Sequence, residues 1–209
     1  MTEAPEPDCD RYLIEAVSND PHAFERLYNR YFPRLYAYVG YRVGASHDTE
    51  DLVADIFTQA VAAMKSGRFQ WLHEHSFAAW IFRIARNRVH DYRRKKPRYE
   101  PLPFDGLPDL RSGDPLPDEV LLQKEEFAQL RRLLSTLSPR REEIISLKFF
   151  GQLRNSEVAS ILGLDERTVA SHLSRGLRDL NRKYLAIEEQ TSVEQKAENG
   201  HEKVVTQNE

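Results

Sequence analysis

The chain has 209 residues, 40% of them apolar and 30% charged, with a net charge of −3, which suits one medium domain or two small ones. Its single cysteine, Cys9, excludes a disulfide framework and leaves no Cys/His cluster at metal-ligand spacing, so no cofactor is expected. The N-terminus has no basic and apolar leader, and the longest apolar run, LVADIFTQAVAAM, is too short and too polar to cross a bilayer, which points to a cytoplasmic protein without membrane insertion.

Residues 1–10 hold four acids and no base and are expected to be disordered. Residues 11–98 read as an all-helical domain. Phe24, Leu27, Tyr28, Tyr31, Leu35 and Tyr38 recur at helical steps, as do Leu52, Ile56, Ala60 and Met64. Phe77, Trp80, Ile81, Ile84, Ala85 and Val89 repeat the pattern on a third helix, which Ser76 is positioned to cap.

That third helix carries the first chemical signal. Residues 80–98, WIFRIARNRVHDYRRKKPR, hold eight Lys/Arg and one Asp. With the apolar stripe turned inward, Arg83, Asn87 and Arg94 face outward, joined by Arg86 and His90. Such a face suits single-stranded nucleic acid, because the charge tracks phosphates while amides and rings receive bases. Phe69, Trp71, His73 and His75 in the preceding loop could form a pocket for an extruded base. The plainer alternative is a solvated basic helix whose histidines serve local hydrogen bonds.

Residues 99–119, YEPLPFDGLPDLRSGDPLPDE, hold five of the eleven prolines and six acids against one base, and keep no helical or strand period. They read as a linker. Leu102, Phe104, Leu107, Leu110 and Leu116 within it suggest that it lies in a groove of a partner.

Residues 120–185 form a second helical domain, with Pro139 in the first turn of one helix. The stretch SEVASILGLDERTVASHLSRGLRDL reads as a helix-turn-helix. Val158, Ala159 and Leu162 give the first helix its apolar face, Gly163 permits the turn, and Asp165 is placed to cap the second helix. Val169, Leu173, Leu177 and Leu180 are expected to face inward. Arg167, Thr168, Ser171, His172 and Arg175 are then left on the face that would enter a major groove. The alternative is a helical hairpin in an unrelated bundle. Residues 186–209 are acidic and poor in apolar side chains and are expected to form a disordered tail.

Partitioning the charge sharpens this picture. The two helical segments together carry +10 and the other three segments −13. Basic folded parts on acidic, self-repelling tethers fit polyanion-binding domains, although plain solubility patterning would give a similar split.

Three patterns, TEDLVADIFTQAV, FAAWIFRIARNRVHDYRR and EVASILGLDERTVASHLSRGLRDL, stand in this order around the acidic linker. Together they make the chain resemble an extracytoplasmic-function sigma factor of bacterial RNA polymerase, over roughly residues 20–98 and 120–185. The resemblance implies an all-α fold of two small domains joined by the acidic Pro-rich linker. It further implies that the first domain binds core polymerase and the minus-ten element, and that the helix-turn-helix domain binds the minus-thirty-five element. Glu50, Asp51, Leu52, Val53, Asp55 and Ile56 would belong to the surface that docks on the clamp coiled coil of the polymerase's largest subunit. Arg83, Arg86, Asn87, His90, Asp91 and Arg94, with Phe69 and Trp71, would engage minus-ten DNA. Arg154, Glu157, Arg167, Thr168, Ser171, His172, Arg175 and Arg178 would engage the upstream duplex.

The chain departs from the family's pattern at several positions. Ala54 stands where Gln is usual, Arg154 where Ser or Thr often opens the first helix, and Ala170, His172 and Leu177 where bases are frequent. Promoter preference therefore does not carry over. The implied partners are core RNA polymerase and promoter DNA, both duplex and single-stranded, with an anti-sigma factor as a further candidate.

Three other functions compete. A stand-alone helix-turn-helix regulator with a sensing or dimerising N-terminal bundle leaves the cationic 83–98 face unexplained. An enzyme acting on nucleic acid lacks a metal-binding carboxylate pair, a phosphate loop, and a nucleophile with its base. An RNA-binding adaptor fits the basic face but not the major-groove reader.

Overall fold

The computed structural model describes residues 9–44, 46–69, 76–95 and 127–205, and for Ser46, Ser76 and residues 188–205 the backbone alone. The expected linker lies outside these residues. Every regular element among them is a helix.

α1 (Asp10–Ala16) starts where the Cys9 sulfur accepts the Tyr12 N–H at 3.4 Å. Asp10 is part of the fold rather than of a loose end: its carboxylate takes the Arg30 guanidinium at 2.6 Å and also accepts the Tyr31 hydroxyl. α2 (Pro21–Val43) is opened by Asp20, whose side chain accepts the His22 N–H, and by Pro21, which supplies a preset φ where no N–H is needed. It lies in contact with α1, with α3 (Ser46–Lys65) and with α4 (Ser76–Lys95).

The helical spacing of apolar residues sets the core. Leu27, Tyr31, Leu35 and Tyr38 of α2, Ile56 and Ala60 of α3, and Phe77, Ile81, Ala85 and Val89 of α4 are all buried. Aromatic pairs lock these helices together. Tyr31 meets Phe77 edge-on at 5.0 Å, Tyr38 meets Phe82 at 5.8 Å, and Tyr28 packs on Phe57 at 4.7 Å.

The second domain begins with α5 (127–135) and continues with α6 (Pro139–Phe149), α7 (Asn155–Leu162) and α8 (Glu166–Val205). α7 and α8 form the helix-turn-helix. Gly163 makes the turn at φ +63, a left-handed conformation that side chains with a Cβ resist. Val169 and Leu173 of α8 are buried as expected, but Leu177 is 43% exposed. Gly176 takes the inward position instead. A Cβ there would lie 2.8 Å from the Ile145 Cδ1 of α6, so the two helices cross too closely for a side chain. α8 also differs from expectation beyond residue 185, since it runs on to Val205 through the acidic segment expected to be disordered. Glu, Gln, Ala and Lys are frequent there, and their helical propensity favours continuation of the helix.

The two domains share one continuous apolar cluster, because α4 lies against α7 and α2 touches α6. At this seam Tyr41 stacks on Phe150 at 4.5 Å.

Candidate nucleic-acid interface

α3 presents two kinds of residue. Glu50 and Asp51 are exposed, with Asp51 paired to His47 at 3.5 Å. Val53 and Ile56 are buried and contribute to the bundle core, while Leu52 is half-buried. Asp55 is tied to the neighbouring helix by Arg88 at 2.9 Å and accepts Gln59 at 3.1 Å. The acidic pair Glu50 and Asp51 is thus the part of this set that a docking protein would meet first.

On α4 the apolar positions turn inward and leave the cations outward, as the 3.6-residue period requires. Arg83, Asn87 and Arg94 are exposed, and Arg94 pairs with Asp91 at 3.2 Å. Arg86 and His90 look toward the second domain. Glu143 of α6 meets the Arg86 Nε at 3.1 Å and the His90 Nε2 at 3.6 Å. Arg83 donates to the Ser160 carbonyl of α7 at 2.9 Å. Phe69 is half-buried between Phe77 and Trp80. Trp71, His73 and His75 lie outside the described residues.

On the helix-turn-helix, Arg167, Ser171, Arg175 and Arg178 are exposed along one side of α8, and Thr168 and His172 are half-buried. The His172 Nδ1 is buried with no partner among the described residues. Arg154 precedes α7. Glu157 is 7% exposed, and its carboxylate accepts the Arg154 N–H at 2.6 Å, which satisfies a backbone donor that the helix start would otherwise leave open. That contact gives Glu157 a structural task.

Several charged residues of this region escape a reading by sequence. Arg141 of α6 joins Arg175, Arg178 and Arg182 of α8 around a groove of about 950 Å³, with Asp179 bridging Arg141 at 2.5 Å and also holding Arg182. Arg141 belongs to a different helix, and sequence spacing contains no trace of that proximity. Glu142 and Glu143 likewise read as ordinary surface acids. Among the described residues no group of His, Cys, Asp and Glu is arranged to hold a metal ion, and no helix is long and apolar enough to cross a membrane.

Burial acts on three phenols at and near the seam. Desolvation pushes the Tyr31, Tyr38 and Tyr41 hydroxyls well above the ordinary tyrosine range, reinforced by Asp10 at Tyr31 and by Glu142 at Tyr41. At neutral pH all three stay protonated, and Tyr31 and Tyr41 donate to the carboxylates of Asp10 and Glu142.

Comparison with known proteins agrees with this geometry. The family described as "Sigma-70 region 2" matches residues 27–99, and that described as "Sigma-70, region 4" matches residues 127–180. The ECF RNA polymerase sigma factor BldN of Streptomyces coelicolor is 30% identical over 172 residues, covering 81% of this chain and 64% of that protein. The ECF RNA polymerase sigma factor RpoE of Cereibacter sphaeroides is 29% identical over 167 residues, covering 79% and 89%. Among solved structures, CnrH in complex with the cytosolic domain of CnrY superimposes with a TM-score of 0.61 at 24% identity, over 85% of this chain and 97% of that one. Both sigma-70 regions, in order and on the two helical domains just described, make the chain a member of the sigma-70 family, of the extracytoplasmic-function group of RNA polymerase sigma factors.

Proposed function

We propose that this chain is a non-enzymatic, cytoplasmic initiation factor that binds core RNA polymerase through the Glu50–Asp51 end of α3. In that complex it holds one melted promoter strand on the cationic face of α4 and reads the upstream duplex with the exposed side of α8. The observation that carries the reading is the presence of two separate cationic helical faces, Arg83–Asn87–Arg94 and Arg167–Ser171–Arg175, on the two domains that match sigma regions.

The energetics explain the need for a large partner. Opening about ten base-pair steps costs roughly 14 kcal/mol. Stacking two captured bases returns only about 2–6 kcal/mol. A domain of this size therefore nucleates an opening that the polymerase must complete. Two solved relatives are held by partners, CnrH by the cytosolic domain of CnrY and a Bartonella quintana RpoE by the anti-sigma factor NepR. An anti-sigma factor is accordingly a further partner in this proposal.

Run-off transcription with purified core polymerase on genomic promoter fragments tests the proposal. Addition of the protein should produce discrete new transcripts, and Asp51→Arg should abolish them while leaving the protein folded by circular dichroism. Transcript patterns identical with and without the protein would refute it.

A further inference from the structure

The exposed cationic side of α8 is longer than a base-reading surface needs. Arg167, Ser171, Arg175, Arg178 and Arg182 follow one another at helical steps and are all exposed, so they form one stripe along the helix. At about 1.5 Å per residue, Arg182 lies about 22 Å along the axis from Arg167. The major groove is only about 12 Å wide. When the first turns of α8 sit in that groove, Arg178 and Arg182 therefore lie beyond its edge, level with a sugar–phosphate backbone rather than with base edges.

A second helix brings charge to the same place. Gly176 lets α6 cross α8 closely, and a Cβ added there would lie 3.8 Å from the Arg141 Cβ. Arg141, Arg175, Arg178 and Arg182 thus line one groove of about 950 Å³ together with Asp179. Four guanidiniums meet one carboxylate, which leaves the groove strongly positive. Asp179 holds Arg141 at 2.5 Å and also Arg182, and Arg178 donates to the Ser174 hydroxyl at 3.4 Å, so the forked donors are set in place before a ligand arrives. The Arg182 side chain, 76% exposed, keeps most of its surface open to that ligand.

We propose that this α6–α8 groove is a phosphate-backbone site, in which Arg141, Arg178 and Arg182 grip the strand flanking the bases that α8 reads and fix the register of the domain without reading sequence. The proposal rests on α8 as the duplex reader. Asp179 tempers the grip, because its carboxylate repels the phosphates that the arginines attract.

A backbone contact is independent of base sequence, so the test needs no known promoter. The full chain is titrated into a labelled duplex of random sequence, with binding read by fluorescence anisotropy between about 50 and 200 mM salt. Arg141→Gln and Arg182→Gln should each weaken binding about eightfold at about 0.1 M salt and lower the slope of log affinity against log salt by about 0.9, the signature of one lost phosphate contact. Asp179→Asn keeps an acceptor for both arginines and removes the repelling charge. It should tighten binding about fivefold, the effect of one unit charge about 4 Å from a phosphate in water. Arg11→Gln on α1 and Glu25→Gln on α2 remove exposed charges elsewhere and should change neither quantity.

The opposite signs separate a ligand site from a structural one, since a groove needed only for packing would lose binding whichever charge was removed. Weaker binding by Asp179→Asn as well as by the arginine variants would therefore overturn the proposal. Wild-type slopes in both arginine variants would also overturn it, and if those variants failed to co-elute with core polymerase, the groove would belong to a protein partner. A wild-type chain that binds no duplex at all would instead remove α8 as the reader, and the backbone site with it.

Discussion

Tyr38 carries a hydroxyl that the fold buries completely, with no hydrogen-bond partner among the described residues. An unpaired buried hydroxyl costs about 1–3 kcal/mol in protein mutational data, whereas the ring's packing on Phe82 survives loss of the oxygen. Tyr38→Phe should therefore raise stability by about 1 kcal/mol, read as a higher midpoint in urea with an unchanged slope. A lower midpoint would mean that the hydroxyl is satisfied.

The three raised phenols add a pH signature. In the unfolded chain they ionise near pH 10.0, but in the fold burial keeps them protonated beyond it. The folded state then binds more protons, so the stability they confer is complete below pH 10 and is lost as pH climbs above it. The slope is about 1.4 kcal/mol per pH unit for each tyrosine. Thermal midpoints measured from pH 8 to 11.5 should hold level and then drop, and Tyr38→Phe should drop less steeply.

Among the elements, α7 depends on a cap that doubles as a proposed DNA residue. Glu157 accepts the Arg154 N–H from a buried position, so Glu157→Ala should cost about 1–2 kcal/mol, and Glu157→Gln, which keeps an acceptor, should cost less. Chemical denaturation separates the two variants. Equal stability for all three proteins would remove the cap from the account and return Glu157 to the DNA-facing set.

The helix-turn-helix was legible in the sequence because its signals are local: Gly163 marks a left-handed turn and Val158, Val169 and Leu173 keep the helical period. The α8 stripe slips at Gly176, which has no side chain to register as hydrophobic. Only the crossing of α6, where Ile145 would touch an added Cβ at 2.8 Å, makes it an inward position. Nothing within α8 announces that crossing. The partners of Arg86 and Arg83, 57 and 77 residues away in sequence, were beyond reach for the same reason. Composition weighs core-forming power and so does not foretell the continuation of α8 past residue 185, which helical propensity favours.

For the whole molecule, the decisive feature is that two domains which the charge pattern separates are packed into a single apolar cluster with a polar seam around it. Each domain alone is small, and small domains bury too little surface for large independent stability. The seam couples them through Arg86–Glu143, Arg42–Glu142, Tyr41–Glu142 and the Tyr41–Phe150 stack. Wild-type protein should therefore melt in one calorimetric transition, with the measured enthalpy equal to the van't Hoff value.

Reversing both acids, Glu142→Lys with Glu143→Lys, puts new ammonium groups against Arg42, Arg86 and His90. Leaving partly buried charges unpaired in this way costs about 3 kcal/mol or more, and the cost falls on the seam rather than on either core, since both acids project from α6 toward the first domain. The expected thermogram has two resolved peaks, the lower from the less stable domain, with the summed enthalpy reduced by the lost seam. A single peak merely shifted downward would mean that the domains unfold together even without the acidic seam contacts. Two peaks already present in the wild type would mean that they were never coupled.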